Sequence, residues 1–343
     1  MELAADRITY ILPLRSSASE AGGELTDYLR ALAAESEVIV VDGSATAVFA
    51  AHHSAWQSMV RHVAPDPSLA TPMGKVGGVL TGLRLASHER VIIADDDVRY
   101  DAGTLRRVAS ALDTADVVRP QNFFVPMPWH AAWDTGRALL NRTSGGDWPG
   151  TLAVRRSVLA RTGGYDGRAM FENLELVRTV IAAGGRETVL FDAYVARRPS
   201  TVRHFWSQRV RQAYDELARP RRLALQLAVL PATIAIAISA GWIGVVAEAA
   251  LVAGIAEVGR RRAGGAQVFP ARASLLAPVW LAERALCSWL AVGARAVLGG
   301  VPYRGILLRH AATPMGVLRS RHALARAAAS LHPEPTGPRR RSA

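Results

Sequence analysis

Leu223 to Trp242 is a run of twenty residues without a single charge, preceded by Arg219-Pro220-Arg221-Arg222. No other feature constrains the chain as much, because twenty apolar residues in a helix match a hydrocarbon core of about 30 Å. Ile243 to Val258 continues apolar, broken by Glu248 and Glu257, and stops at Arg260-Arg261-Arg262. A tight hairpin with both arginine-rich ends on the cytoplasmic side satisfies the positive-inside tendency. A third apolar segment, Ser274 to Gly300, carries Glu283, Arg284 and Arg295. On a helical wheel Arg284, Ser288 and Arg295 fall within about 40° of one another, so an interfacial or re-entrant helix suits it better than a third span. The expectation is a membrane region over 219–310, with two spans near 223–258 and a surface-lying helix near 274–300. A basic, partly disordered tail over 311–343 follows, with Pro333 to Ala343 read as disordered.

Charge supports this division. The 343 residues carry a net +12, yet residues 1–202 hold 21 basic and 23 acidic groups, and residues 203–343 hold 20 basic and only 6 acidic groups. The excess therefore sits beside the lipid-length runs, where it fits anionic headgroups. A nucleic-acid protein would show a basic stripe with interleaved aromatics, so nucleic acid is not an expected partner. With half its residues apolar and 20% charged, the chain is not wholly disordered. A single cysteine, Cys287, excludes an intrachain disulfide and a cysteine-rich zinc module. Met1 to Arg15 holds no apolar stretch long enough for a signal peptide.

Ahead of the membrane region, short apolar strands alternate with helical periodicity. Ile8 to Pro13, Glu37 to Val41, Arg90 to Ala94 and Asp116 to Val118 read as strands. Glu24 to Ala34, Lys75 to Ala86, Thr104 to Leu112, Glu172 to Ala183 and Arg203 to Leu217 read as helices. Continuous apolar strands in such an order predict an α/β fold, a mostly parallel sheet flanked by helices. Residues 120–150, rich in Pro, Trp, Asn and Gly, read as irregular. Asp42 and Asp95-Asp96-Asp97 both fall just beyond strand ends, the edge where open α/β sheets bind ligands. No GxGxxG, Walker or GxSxG pattern occurs, so dinucleotide, P-loop and hydrolase chemistry lose support. His52-His53 is followed by no partner at helical spacing and reads as a surface pair.

Asp95 and Asp97 flank one residue, and a turn can aim both at one hard cation. Such oxygen sites suit Mg²⁺ or Mn²⁺, which usually share their shell with substrate phosphates. A solvated acidic loop is the other reading of the triplet.

The order of these motifs resembles the family 2 glycosyltransferases of the GT-A fold over about residues 7–215. The elements are Ile11-Leu12-Pro13, Val40-Val41-Asp42-Gly43-Ser44, the helix from Lys75, and Ile93-Ala94-Asp95-Asp96-Asp97-Val98 in place of the family's DxD. Arg155-Arg156, Gly163-Gly164-Tyr165-Asp166 and Glu172-Asn173-Leu174-Glu175 follow in order, and Gln208-Arg209-Val210-Arg211-Gln212 resembles the QxxRW of membrane-linked members with Gln for Trp. The resemblance implies a GT-A domain over 1–218 and a nucleotide-diphosphate sugar donor, bound by Pro13, Asp42, Lys75, Asp95, Asp96 and Asp97. Asp95 and Asp97 would hold the metal. The Asp of the family's Glu-Asp pair, the usual base of inverting members, is Asn173 here, which makes Glu172 the first choice for the base and Glu175 the second. Gln208 and Arg211 would meet acceptor or diphosphate. Apart from the resemblance, Asp147 and Trp148 either shape an acceptor pocket, since an indole offers a stacking face for a sugar, or Trp148 is structural.

Lys75, the only lysine among 41 Lys plus Arg, either supports the diphosphate or is a helix-start surface residue. Arg209 and Arg211 either grip phosphate or face lipid headgroups. The expected activity is transfer of a sugar to a hydroxyl of a lipid or lipid-linked acceptor, by a multi-pass protein of the cell membrane with its catalytic domain in the cytoplasm. Two rivals stand beside it. One is a catalytically impaired nucleotide-sugar-binding membrane protein, prompted by Asn173 and the missing Trp. The other is a sugar-phosphate nucleotidyltransferase, for which Leu14-Arg15-Ser16-Ser17 is a poor Gly-rich loop.

Overall fold

A computed structural model describes residues 7–303 and 305–331. In chain order the elements are β1 (Ile8–Leu14), α1 (Glu24–Ala33), β2 (Glu37–Asp42), α2 (Thr46–Trp56), β3 (Arg61–Val63), α3 (Gly74–Leu85), β4 (Arg90–Ala94), β5 (Val98–Arg99) and α4 (Ala102–Ser110). Then come β6 (Val117–Phe124), α5 (Trp129–Arg142), β7 (Thr151–Arg155), α6 (Arg156–Arg161), α7 (Glu172–Ala182), β8 (Glu187–Arg197), α8 (Val202–Ser207) and α9 (Arg209–Tyr214). The last are α10 (Pro220–Arg261), α11 (Ala271–Leu298), β9 (Val301–Tyr303), β10 (Ile306–Leu308) and α12 (Met315–Leu331).

Eight strands form one sheet in the order β3-β2-β1-β4-β7-β6-β8-β5. Four of its seven pairings are parallel, and β7 runs antiparallel between β4 and β6. Alternation along the strands divides the core into two layers. Ile11, Ile39, Val91 and Ile93 meet Val76 and Val79 of α3 and Leu176 and Val180 of α7 on one face. Tyr10, Leu12, Val40 and Ile92 meet Leu25 and Leu29 of α1, Trp56 of α2 and Leu105 of α4 on the other. The sheet is thus flanked by helices, as the alternating pattern predicts.

The region read as irregular, 120–150, is where the structure departs most from the sequence expectation. Val117–Phe124 is a long strand and Trp129–Arg142 a helix. The buried face of α5 includes His130, Asp134, Thr135, Asn141 and Arg142, so no apolar period announces it. Its polar groups are satisfied from distant elements. Arg142, fully buried, donates to the carbonyls of Gly259 (3.0 Å) and Phe191 (3.0 Å) and to the Gln121 side chain (3.1 Å).

α10 is a helical hairpin. Gly241, at φ 63° and ψ −159°, breaks it in a conformation that favours glycine. Thr233 Oγ1 on the first arm donates to Glu248 Oε1 on the second at 2.9 Å, so the arms run antiparallel. Each arm of about 20 residues is about 30 Å long, and Ile234, Ile238, Trp242, Ile243 and Leu251 are each at least 60% exposed. The second arm docks on α5 at Gly259, where an added Cβ would lie 1.9 Å from the Leu139 carbonyl oxygen. Two stretches, Pro220–Gln267 and Ala271–Leu298, are long and apolar enough to cross a membrane by length and composition.

α11 orients its polar stripe opposite to the expectation for a surface-lying helix. Arg284 and Ser288 face the protein and are buried: Arg284 donates to Gln212 Oε1 (3.1 Å) and Ser288 to Gln226 Oε1 (2.8 Å). Leu275, Leu286, Leu290 and Val297 face outward, and of the three stripe residues Arg295 alone is exposed.

The expected tail also proves partly ordered. Backbone N–H groups of Met170 and Phe171 donate to the carbonyls of His310 (2.9 Å) and Ala311 (2.8 Å), and α12 packs against α7. The expectation of disorder for Pro333 to Ala343 lies outside the described residues.

Candidate active site

Two cavities meet at the end of β4. One, of about 520 Å³, is walled by Pro13, Gly43, Pro65, Asp66, Gly78 and Asp96; the other, of about 420 Å³, by Trp148, Glu172, Gln208, Arg211, Asp215 and Arg284. Lys75, Asp95 and Tyr303 line both, so they stand at the junction. β4 ends at Ala94 because three successive carboxylates cannot enter the sheet, and the chain turns there with Asp95 N–H held by the Gly150 carbonyl (2.8 Å). Gly150 gives the room: a Cβ on it would lie 2.8 Å from Asp95 Oδ2.

Lys75, at the start of α3, is 2.5 Å from Asp95 Oδ1 and 2.6 Å from Glu172 Oε1. Burial alone would favour neutral Lys75, but these two carboxylates outweigh it and raise its pKa; its ion pairs and its place lining both cavities put it off the outer surface. Arg197, at the end of β8, lies 2.8 Å from Asp97 Oδ2 and 3.5 Å from Asp95 Oδ2. Burial and repulsion from Asp97 and Asp95, partly offset by Arg197, push Asp96 up to about 6, and burial raises Asp97 despite Arg197. Asp97 Oδ1 is buried with no hydrogen-bond partner. An all-oxygen donor set with an orphaned carboxylate oxygen fits a hard divalent cation held by Asp95 and Asp97.

Several sequence-predicted residues stand elsewhere. Asp42 lines neither cavity: its carboxylate is fully buried, Oδ1 accepting from Ser44 N–H (2.8 Å) and Oδ2 from His52 Nδ1 (2.7 Å) and His62 Nε2 (3.2 Å). Burial opposes its ionisation, but these donors prevail and hold its pKa well below the usual carboxylate range. His52 is therefore no surface residue; only its neighbour His53 is partly exposed. Asp42, His52 and His62 also form a cluster of metal-ligand type. Glu20 N–H donates to His52 Nε2 (2.9 Å), however, which places the ring proton on Nδ1 and makes that atom a donor to Asp42 rather than a ligand.

Glu175 faces away from the cavities, fully buried, with Oε2 accepting from Thr313 N–H (2.6 Å). Asn173 Nδ2 donates to the Pro149 carbonyl (3.0 Å) and holds the loop that carries Trp148. Asp147 lies behind that loop, its Oδ1 bound by Asn141 (2.7 Å) and Arg137 (3.1 Å). Trp148 itself faces the cavity, with the Arg119 guanidinium 4.1 Å from its ring centre. Gln208 and Arg211 reach the same cavity, but Arg209 faces neither phosphate nor lipid: it is buried between Asp134 of α5 (2.8 Å) and Glu283 of α11.

The structure adds residues that no motif marked. Arg197 comes from a strand without a sequence expectation, Arg284 and Trp280 from α11, Tyr303 from β9, and Asp215 from the turn after α9. Asp215 and Arg219 follow shortly after the Gln208-to-Gln212 motif, and that proximity was the available signal.

No family model matches the chain, and a search of curated proteins finds no match. Among solved structures it is similar to the mannosyltransferase PcManGT from Pyrobaculum calidifontis in complex with GDP-Man and Mn2+, at 18% identity over 95% of this chain and 87% of that one, with a TM-score of 0.48. It is also similar to S. aureus TarS 1-349, at 19% identity over 56% of this chain, with a TM-score of 0.40, and it spans about 60% of that chain's length. Mannosyl-3-phosphoglycerate synthase from Rubrobacter xylanophilus is similar at 14% identity over 59% of this chain and 70% of that one, also at 0.40. All three TM-scores are below 0.5, so the functional reading rests on this chain's own residues.

Proposed function

We propose that the chain is a membrane-anchored, metal-dependent, inverting glycosyltransferase with a GT-A domain, moving a sugar from a nucleotide-diphosphate sugar to a hydroxyl of a lipid or lipid-linked acceptor. The observation that carries this reading is the position of Lys75 and Asp95 at the junction of two cavities beside an exposed apolar hairpin. In this reading the cavity walled by Pro13 and Gly43 receives the nucleoside, and the cavity walled by Trp148 and Arg211 receives sugar and acceptor. Asp42 then acts from behind, fixing the Ser44 loop rather than touching the base.

Asp95 and Asp97 would hold Mg²⁺ or Mn²⁺, which neutralises charge on the departing nucleoside diphosphate. Lys75 adds a fixed positive charge at the same place, and its two carboxylate partners keep it ionised and aimed. The bond from the anomeric carbon to the diphosphate breaks as a bond to the acceptor oxygen forms. The acceptor's proton passes to a carboxylate of the cavity. Trp148 offers an aromatic face to the sugar, and Arg211 and Arg219 offer guanidinium groups for anionic parts of donor or acceptor. The hairpin would cross the bilayer and keep both arginine-rich ends, with the catalytic domain, on the cytoplasmic side.

Calorimetry of the full chain in detergent with UDP-glucose, UDP-N-acetylglucosamine and GDP-mannose, with and without MnCl₂, tests donor binding. Transfer of radiolabelled sugar into an organic-extractable product tests the acceptor class. The expected result is Mn²⁺-dependent binding and labelled lipid, both abolished in Asp97→Ala. A solely water-soluble product overturns the lipid acceptor, and unchanged turnover in Asp97→Ala overturns the metal assignment. Binding without transfer would favour the second reading, a nucleotide-sugar-binding protein, which the amide Asn173 supports by serving the Pro149 loop instead of supplying a carboxylate.

A further inference from the structure

Four carboxylates line the cavity assigned to sugar and acceptor: Asp95, Glu172, Asp215 and Glu216. Three are engaged by cations. Asp95 and Glu172 share Lys75 at 2.5 and 2.6 Å, and Glu216 binds Arg219 at 2.8 Å and Arg222 at 3.1 Å. A carboxylate tied to a buried cation is a weak proton acceptor, because protonation forfeits the pair. Asp215 differs: among the described residues it makes no ion pair, and its Oδ1 is buried with no hydrogen-bond partner.

Its position suits an acceptor that arrives from the bilayer. Asp215 opens the turn between α9 and the α10 hairpin, and Trp280 and Arg284 of α11 line the same cavity. This wall of the cavity is therefore built by the elements that carry the exposed apolar surface. An acceptor whose apolar part lies along the hairpin would present its hydroxyl on the side of Asp215.

Resting on the glycosyltransferase reading above, we infer that Asp215 is the catalytic base, taking the proton from the acceptor hydroxyl as its oxygen attacks the anomeric carbon. The pair of electrons left on the oxygen forms the new glycosidic bond, the nucleoside diphosphate leaves with the electrons of the old one, and the proton ends on an Asp215 oxygen. Glu172 is then a positioning residue for Lys75. Asn173 and Asp215 line the same cavity, so Asp215 supplies there a carboxylate that position 173 does not.

The charged groups facing Asp215 are Glu172 from α7, Glu216 and Arg219 from its own turn, and Arg284 from α11. Burial and the Glu172 charge outweigh the two arginines and push its carboxyl up to about 8. A base that titrates near the working pH combines basicity with availability.

The test uses the full chain in mixed micelles with 1,2-dioleoylglycerol as hydroxyl acceptor, Mn²⁺, and the donor that wild type binds. Released nucleoside diphosphate is measured, so water acting as acceptor is counted as well. Asp215→Asn is expected to bind donor within about twofold of wild type, since it leaves Lys75 and Asp95 untouched, and to lose about 10²–10⁴-fold in turnover. Wild-type kcat/KM should rise with pH to a plateau with a midpoint near 8, and the residual activity of Asp215→Asn should lack that limb. Asp215→Glu should recover part of the rate with the limb displaced. Turnover in Asp215→Asn within threefold of wild type, an unaltered limb, or loss of donor binding each overturns the base assignment while the glycosyltransferase reading stands. A wild-type chain that binds no nucleotide sugar overturns both.

Discussion

Arg209 ties helix α5 to helix α11, and replacing it by Met tests that junction. Its side chain is only 3% exposed; Nη1 donates to Asp134 Oδ1 on α5 (2.8 Å) and to Gln212 Oε1 (3.1 Å), Nε lies 2.9 and 3.0 Å from the Glu283 oxygens on α11, and the Phe205 ring centre is 4.6 Å from its Cζ. Methionine keeps much of the volume and removes the charge. Asp134 would retain Arg137 at 3.4 Å, and Glu283 would retain the Cys287 thiol at 3.2 Å. Breaking a buried pair by removing one partner costs about 3–5 kcal/mol, chiefly the desolvation of what is left. At about 2 °C per kcal/mol for a chain larger than 250 residues, Tm should fall by about 6–10 °C.

The sign with pH follows from the carboxylates. Burial of Asp134 favours its neutral form, but Arg137 and Arg209 prevail and depress its pKa, so in wild type its contribution is present above the unfolded value and lost only in strong acid. In Arg209→Met, Asp134 loses one of the two arginines that depress its pKa, so its folded-state value rises and the gap to wild type should narrow as pH falls. The triple variant Arg209→Met, Asp134→Leu, Glu283→Met replaces the charges by apolar groups and should recover most of the loss. Thermal unfolding of the full chain in detergent reads all three. A shift below about 2 °C for Arg209→Met, corresponding to under about 1 kcal/mol, or a triple variant as unstable as the single one, would refute the reasoning.

Asp42→Asn removes the acceptor shared by His52 and His62, and should lower Tm at pH 7 by an amount equivalent to about 1.5–3 kcal/mol. Because the folded-state pKa of Asp42 is depressed, its contribution is present above about 3.9 and disappears as pH falls further, so Tm curves of variant and wild type should converge in acid. Gly259→Ala places a Cβ against the Leu139 carbonyl oxygen, and should separate the second hairpin arm from α5 at a cost of about 1–3 kcal/mol or more, read as faster proteolysis after Arg260 to Arg262. In a Cys287→Ser background, Ser239→Cys near the hairpin tip should react with a membrane-impermeant maleimide from outside intact cells, and Arg262→Cys only after permeabilisation. Labelling of both from one side would remove the spanning hairpin.

Much of the architecture was legible because it rests on local patterns. Ile39 to Val41 and Val91 to Ile93 are β-branched runs whose alternate residues enter two core layers, and a central strand of this kind has few other stable fates. The uncharged run from Leu223 predicts a hairpin arm of the observed length, and Gly241 lies where the chain turns back. The Asp triplet after β4 marks the edge at which the two cavities meet. Helix α5 was not legible, because its buried face is polar and finds its partners on β6, β8 and the hairpin. The inward turn of Arg284 and Ser288 was hidden for a related reason: a polar stripe reads alike whether it meets water or a buried network.

The sequence by itself determined β1, α1, β2, α3, β4, α4 and α7, the division between a near-neutral and a strongly basic part, and the candidate junction residues Lys75 and Asp95. Only the tertiary structure decided which charges are neutralised and which are left free. Hydrophobic periodicity is a local property, carried by residues three or four apart on a helix and two apart on a strand. Charge compensation is not: Arg197 reaches back 100 positions to Asp97, and His62 reaches back 20 to bury Asp42. The same long-range pairing leaves Asp215 without an ion pair among the described residues, which only the folded chain reveals.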